Sequence, residues 1–201
     1  MQSTYGNGVH LTLTDDDLKA LGLVVAQWSL AEVLMQNILE QFYLLPAVAA
    51  SDLPSQNTRE FRRKHEVWKK AVRLFCDEGS EMLEIGIFLA VHGKELKNLR
   101  DRATHWPASR ATSMPEGFVY FSGPRTADQK NVTQAFTPAS LLELGQDIGK
   151  WSAALAQYVV ILSFDMFGPL LAQISGQRPD WMLELLRSYR REVQGNKKSA
   201  E

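Results

Sequence analysis

The chain has 201 residues, of which 45% are hydrophobic and 22% are charged, with a formal net charge of −1. Such a composition is that of an ordinary globular protein, and the length suits one domain with its own apolar core. A balanced charge provides no overall attraction for nucleic acid, so DNA is not expected as a partner and any RNA contact requires a local basic patch.

The composition also indicates where the protein works. A single cysteine, Cys76, excludes an internal disulfide and suits a reducing compartment, so we expect a cytoplasmic location. The first residues lack the basic segment and apolar run of a signal peptide. Polar residues, a glycine and a proline interrupt the longest apolar stretch, near Leu155–Leu171, so no membrane span is expected there.

The first predicted helix follows a polar, Gly-rich segment, residues 1–14, which we expect to be a flexible arm. Thr14 and the three aspartates after it are typical of a helix start, because threonine caps and acids favour the positive end of the helix dipole. Apolar residues then recur at helical spacing to about Leu45, and Pro46 ends the pattern.

Two further helices are predicted over about Thr58–Asp77 and Glu81–Thr104, the latter ended by Pro107. The second helix has an apolar side and a basic side. Its basic side consists of Arg59, Arg62, Arg63, Lys64, Lys69, Lys70 and Arg73.

Residues 106–137 are rich in Pro, Gly, Ser and Thr and contain two short strand-like runs, Phe118–Phe121 and Val132–Phe136. This pattern predicts a small hairpin or a loop insertion between the third and fourth helices. A threonine–proline pair, Thr137 and Pro138, is typical of a helix start and opens the fourth helix.

The fourth helix is expected to run to about Pro169 or a little beyond, and a short helix to follow over Asp180–Val193. Residues 194–201 are polar and are predicted to be a disordered tail. The sequence therefore predicts an all-α protein. We expect an up-and-down four-helix bundle with a short extra C-terminal helix, forming one domain over residues 15–193.

Familiar catalytic patterns are missing from the sequence. It contains no Gly-rich phosphate loop, no His-Glu-x-x-His, no paired Cys-x-x-Cys and no Gly-x-Ser-x-Gly. The histidines and the one cysteine show no spacing that suits a zinc site. No metal or other cofactor is therefore expected.

The one pattern with chemical content lies at the end of the third helix, in the segment Leu96–Trp106. There, Arg100 and His105 are separated by four residues. A second pair, Arg59 and His65, is separated by five residues, but it lies on the basic side of the second helix and suits a site less well.

An arginine and a histidine four to six residues apart, near the end of a long helix, resemble the signature of the HEPN superfamily. Here the pair is Arg100 and His105, and a polar residue follows the arginine, as in many active members. Glu32 on the apolar stripe of the first helix and the segment Phe61–Lys64 of the second also resemble the HEPN layout. The resemblance covers residues 15–165.

The resemblance implies metal-independent RNA cleavage to a 2′,3′-cyclic phosphate. Arg100 would bind the phosphate, because a guanidinium offers two donors and stays charged. His105 would exchange protons with the RNA, and Glu32 would orient one of the two. Arg102 and Lys64 are the predicted additional RNA-binding residues.

The resemblance also implies a homodimer. At about 100° per residue, Arg100 and His105 point about 140° apart on an ideal helix. They converge on one phosphate if the helix ends or bends between them, or if a second subunit supplies the partner. HEPN proteins pair such helices across a dimer, so a composite site is the expectation. A toxin or defence component, with an antitoxin or another protein as partner, fits this class.

A structural reading of the same residues stays open. Arg100 could pair with Glu32 in an ion pair that fixes helix register, and His105 could cap the third helix, where a cation favours the dipole. The protein would then be a non-catalytic helical dimer that serves as an RNA- or protein-interaction module, or a purely structural scaffold in which Arg100 and Glu32 only lock the bundle.

Overall fold

The computed structural model describes residues 4–5, 9–10, 13–43, 60–105, 108–109, 117–122, 133–175 and 180–198. The protein is all-α in character, as predicted, and the order of its helices as an up-and-down bundle stays a prediction. The helices of the described residues are α1 (Asp15–Tyr43), α2 (Phe61–Phe75), α3 (Glu81–His105), α4 (Pro138–Ser175) and α5 (Asp180–Lys198).

Short antiparallel strands accompany the helices. Strands β1 (Thr4–Tyr5) and β2 (Val9–His10) pair with each other inside the segment that was predicted to be a flexible arm. The predicted insertion between the third and fourth helices is a sheet of β3 (Ala108–Ser109), β4 (Val119–Ser122) and β5 (Thr133–Phe136), in that order.

The hairpin of β4 and β5 forms because its residues alternate. Val119 and Phe121 are buried, whereas Tyr120 between them is half-buried. Phe121 packs edge-on against Phe136 of β5, with ring centroids 5.6 Å apart, as cross-strand aromatic pairs do. The sequence predicted these two strands but missed β3, because two paired residues are too few to show an alternating pattern.

Contacts divide the chain into two compact units. The first consists of Met1–Ser29 and Glu95–Gly149, and the second of Leu30–Lys94 and Lys150–Glu201. Helices α1, α3 and α4 supply residues to both units. The sequence predicted a single domain over residues 15–193.

Two helices begin with the caps that the sequence predicted. The Thr14 hydroxyl accepts a hydrogen bond from the Asp17 amide (3.2 Å), while the Asp17 carboxylate accepts one from the Thr14 amide (2.7 Å). Thr137 and Ser140 exchange the same pair of bonds ahead of α4, at 3.1 and 2.9 Å. Each reciprocal pair satisfies amides that a helix leaves without partners in its first turn.

Several helix bounds differ from the predicted ones. Helix α2 begins at Phe61 and ends at Phe75, because Glu60 and Cys76 both have extended backbone; residues 58–59 lie outside the described part. Helix α4 extends to Ser175, six residues beyond Pro169. Helix α5 continues to Lys198 and includes residues 194–198, which were predicted to be part of a disordered tail.

Helix α5 is joined to its neighbours in the second unit by ion pairs. The Arg187 guanidinium donates two hydrogen bonds to the Glu81 carboxylate, at 2.6 and 2.7 Å. Arg190 lies 3.1 Å from Glu84, and Lys150 of α4 lies 2.7 Å from Glu192. Bidentate geometry and a network of several charges make such surface pairs stabilise more than isolated ones do.

The core of the second unit depends on aromatic side chains that reach the backbone of α3. The indole N–H of Trp68 donates to the Gly86 carbonyl, and that of Trp151 donates to the Leu89 carbonyl, both at 2.9 Å. The Tyr158 hydroxyl donates to the Met82 carbonyl at 3.0 Å. All three rings are fully buried, so these bonds satisfy polar groups that would otherwise lose their hydrogen bonds to water.

A buried histidine lies on α2. His65 is buried, with its Nδ1 atom 3.4 Å from the Glu66 carboxylate. Burial, followed by the nearby Lys69 cation, lowers the pKa of His65 below its ordinary value of 6.5, while Glu66 opposes this shift. The environment of His65 in the folded protein therefore favours the neutral imidazole over the charged one.

Among the described residues, one helix has the length and hydropathy that a membrane span requires. This helix is α1, and 28% of its most apolar 18-residue window is buried. Length and composition alone are weak support for a span, because core helices of soluble proteins and signal sequences near an N-terminus meet the same criterion.

Close packing between α3 and Trp151 yields the first prediction. A Cβ atom on Gly93 would lie 2.2 Å from Cζ2 of Trp151, whereas a Cβ on Gly22, in the middle of α1, would meet nothing within 4 Å. Alanine improves helix propensity by about 1 kcal/mol at both positions, but overpacking costs about 1–3 kcal/mol at Gly93. We expect Gly93→Ala to lower the free energy of unfolding and Gly22→Ala to raise it, as measured by urea denaturation. A stabilised Gly93→Ala would show that the indole can move away at no cost.

The state of His65 yields the second prediction. Because the folded-state pKa is the lower one, the unfolded chain takes up the proton first as the pH falls through 6.5. The stability that neutral His65 contributes is thus complete at higher pH and is lost as the pH falls. Urea denaturation at pH 7.5 and 5.5 should show a larger loss for the wild type than for His65→Gln. Equal losses in the two proteins would contradict this assignment.

Candidate functional site

The last turns of α3 combine buried apolar residues with a polar cluster. Leu96 and Ala103 are buried, which fixes the orientation of this part of the helix. Lys97, Arg100 and Asp101 lie on the helix between them and are only partly exposed. The helix then ends at His105. The residues that the sequence singled out therefore stand at a helix end.

Arg100 is the centre of this cluster. Its Nη1 atom lies 2.9 Å from Nε2 of His105 and 2.8 Å from Oδ1 of Asp101. Its guanidinium carbon lies 4.7 Å from the ring centroid of Trp28, a cation–π distance. The side chain is 15% exposed. A guanidinium held on several sides at once has a fixed position and direction.

The contact between Arg100 and His105 forms inside one chain. The two residues point in different directions on an ideal helix, but His105 is the last residue of α3, and an arginine side chain is long enough to reach along the helix end. A second subunit is therefore not needed to bring the two side chains together. Whether the protein is a dimer stays a prediction.

His105 combines this contact with access to solvent, since its side chain is 66% exposed. A guanidinium has only donors, so in this arrangement Nε2 of His105 accepts the hydrogen bond from Arg100. The imidazole is then neutral and carries its proton on Nδ1, an assignment that follows from the hydrogen bond. A neutral imidazole at the surface is the form that can accept a proton from a substrate.

Asp101 is held between two cations. Its Oδ2 atom accepts a hydrogen bond from Lys97, one helical turn earlier, and its Oδ1 atom lies against Arg100. The same Oδ1 is 4.0 Å from Nε2 of His105. Sequence reasoning did not select Lys97, although a lysine and an acid four residues apart on a helix are a recognisable pair.

Trp28 has a role that the sequence did not assign. The sequence favoured a core position for it, and it is buried. Its ring face also supports the Arg100 guanidinium. The sequence connected α1 with Arg100 only through Glu32, so the contact with Trp28 is shown by the folded structure alone.

Arg102 points to the strands. It is half-buried, and its Nη1 atom donates to the Gln134 side-chain oxygen of β5 at 3.1 Å. This bond joins the end of α3 to the sheet. The prediction that Arg102 contributes to RNA binding stays a prediction, but part of its guanidinium is already engaged by the protein.

Two other predicted residues belong to the second unit. Lys64 is only 7% exposed. It is therefore not on the solvent-exposed basic side of α2, where the sequence placed it. The prediction that Lys64 contributes to RNA binding stays a prediction. Glu32 of α1 is half-buried, and its role in orienting Arg100 or His105 stays a prediction.

His92 is the other histidine of α3. His92 is buried and stacks on Phe88, with ring centroids 5.9 Å apart and planes nearly parallel. It is a packed residue, as the sequence favoured. Within the described part of the chain, no group of three or more His, Cys, Asp or Glu side chains is placed to hold a metal ion.

Comparisons with known proteins do not add a relationship to this geometry: no family profile, no curated protein and no solved structure matches the chain.

Proposed function

We propose that this protein is a HEPN-like, metal-independent endoribonuclease that acts as a homodimer. The observation that carries the proposal is the 2.9 Å contact between Nη1 of Arg100 and Nε2 of His105, with the imidazole exposed to solvent. A phosphate-binding group and a proton-accepting group are thus adjacent at the end of one helix. These are the two groups that cleavage through a 2′-hydroxyl requires.

The proposed reaction uses the RNA itself as nucleophile. The scissile phosphate binds Arg100, and its oxygens take over donors that now point at His105 and Asp101. This frees Nε2 of His105 to accept the proton of the 2′-hydroxyl. The 2′-oxygen attacks phosphorus, the bond to the 5′-oxygen breaks, and that oxygen takes up a proton from water. The products are a 2′,3′-cyclic phosphate and a 5′-hydroxyl.

The surrounding residues support this assignment by fixing Arg100 before a substrate arrives. Trp28 lies under the guanidinium, and Asp101 engages one edge of it. Lys97 balances the carboxylate of Asp101, which limits the repulsion that this acid exerts on a phosphate. A preorganised cation costs little reorganisation during the reaction.

Each active site would take its Arg100 and His105 from the same chain. Dimerisation would then serve to enclose the RNA or to add contacts to it, rather than to assemble the reacting pair. A toxin or defence component in the cytoplasm, controlled by an antitoxin or another protein, is the setting that this class of activity suggests.

One observation favours a second candidate function, a non-catalytic helical interaction module. The Arg100 side chain is 15% exposed and already engages Asp101 and Trp28. An arginine whose charge is satisfied in this way needs no catalytic role, because joining α1 to the end of α3 is a sufficient reason for its presence. Under this alternative, His105 would be dispensable for whatever the protein binds.

The imidazole is the residue to test first. We expect His105→Ala to reduce the rate of cleavage of a single-stranded RNA by about 10²–10⁴, the usual contribution of a general acid–base residue. The variant should fold normally, because His105 is exposed. Lys94→Ala, an exposed charge on the same helix, is the matched control and should cleave like the wild type. Activity should persist in EDTA. An unimpaired His105→Ala would leave the interaction module as the better explanation.

Mixing two inactive variants tests whether the pair acts within one chain. Arg100→Gln and His105→Ala should each be inactive, and their co-expression should restore no cleavage, because no chain in the mixture carries both residues. A pair that acted across a dimer interface would regain activity in mixed dimers. Recovery would therefore show that the contact within the chain is not the catalytic one.

A further inference from the structure

The solvent-facing side of α2 is strongly basic. Arg62, Arg63, Lys70 and Arg73 are exposed, and Lys69 is half-buried. Together these five residues are named here the α2 basic face. The acidic groups beside them are Glu60, before the helix, and Glu66 on it. All these residues belong to the second unit.

Among the described residues, most of this charge has no acidic partner. Arg63 lies 3.7 Å from Glu60 and Lys69 lies 3.4 Å from Glu66. Within the part of the chain that the structure describes, Arg62, Lys70 and Arg73 form no ion pair. The other basic helix, α5, differs, because its arginines are each paired with a glutamate of α3 or of α5 itself.

The arrangement destabilises the isolated helix. Lys69 and Arg73 are four residues apart, and Lys70 and Arg73 are three apart, so like charges are neighbours on the helix surface. Each such pair destabilises an isolated helix by about 0.2–0.5 kcal/mol. Arg62 and Arg63 lie in the first turn, which contains no acid. Cations there oppose the positive end of the helix dipole. A bound polyanion would relieve both effects.

We infer that the α2 basic face binds the phosphate backbone of an RNA strand. Its cations stand in two adjacent pairs, Arg62 with Arg63 and Lys69 with Lys70, about two helical turns apart, and Arg73 lies one turn further. At about 5.4 Å per turn, this row extends along most of the helix and can contact several phosphates of one strand. The aromatic residues Phe61 and Trp68 are buried, so they offer no platform for base stacking. The α2 basic face therefore recognises phosphates and not base sequence, and its affinity for RNA depends on the salt concentration.

An anionic membrane is the other polyanion that a basic helix could bind. A helix lying on a bilayer inserts its apolar side between the lipids. The apolar side of α2 is not available for this, because Phe61, Val67, Trp68, Ala71 and Val72 are buried in the protein. The choice of RNA among nucleic acids rests on the proposed endoribonuclease function.

The test measures binding of a fluorescent single-stranded RNA in the His105→Ala background, so that cleavage does not consume the probe. One protein carries Arg62→Gln, Lys70→Gln and Arg73→Gln. The matched control carries Lys19→Gln, Lys150→Gln and Arg191→Gln, which removes the same charge from exposed side chains that have acidic partners. Circular dichroism and thermal melting establish that both are folded.

The logarithm of the RNA association constant falls linearly with the logarithm of the salt concentration, with a slope of about −0.7 for each phosphate contact with a single strand. Loss of three contacts should therefore reduce the magnitude of this slope by about 2. The control should keep the wild-type slope. The inference fails if the α2 variant binds like the wild type, if both triple variants lose binding equally, if no RNA binds at all, or if the α2 substitutions abolish binding to phosphatidylserine vesicles while RNA binding is unchanged.

Cleavage assays separate this inference from the proposed function. Suppose that the α2 substitutions weaken RNA binding but the protein with His105 intact cleaves no RNA. RNA binding by the α2 basic face is then supported, and the endoribonuclease function is contradicted. If the protein with His105 intact cleaves RNA and the α2 variant binds RNA normally, the endoribonuclease function is supported and RNA binding by the α2 basic face is contradicted.

Discussion

Hydrogen bonds from two buried indoles to the backbone of α3 set the packing of the second unit. Trp68 and Trp151 can be buried only if their N–H groups find acceptors, and both find carbonyls in the middle of a helix. Such an approach requires that α3 have no side chain in the way. Gly86 and Gly93 provide this clearance, since a Cβ on either would collide with Tyr158 or Trp151. Aromatic volume and glycine position are therefore matched across three helices of this unit.

The second unit also shows two ways of accommodating basic residues on a helix. On α5, Arg187 and Arg190 form ion pairs with glutamates of α3, and these pairs hold the helix in place. On α2, the apolar side is packed into the core and the cations face solvent with few acids near them. Charge that is satisfied inside the protein stabilises its fold, whereas charge left outside is available to a partner.

At the end of α3 the same contacts serve packing and chemistry. Trp28 and Asp101 fix the Arg100 guanidinium, and this restraint is what an interaction module and a catalytic site would both require. The difference between them lies in His105, whose side chain is 66% exposed. An exposed imidazole beside a fixed guanidinium contributes little to stability, so a loss of function in its absence would be informative.

The sequence by itself determined the helices, because periodicity, caps and prolines act over a few residues. It placed α1 and α3 almost to the residue, and it identified Arg100 and His105 as a pair. It misjudged local features that depend on distant contacts: the helical end of α5, the third strand of the sheet, and Lys64, which belongs to a basic run but is buried. Only the tertiary structure decided that Arg100 reaches His105 and rests on Trp28. The physical reason is that burial and side-chain contacts depend on which helices meet, and a local pattern does not contain that information.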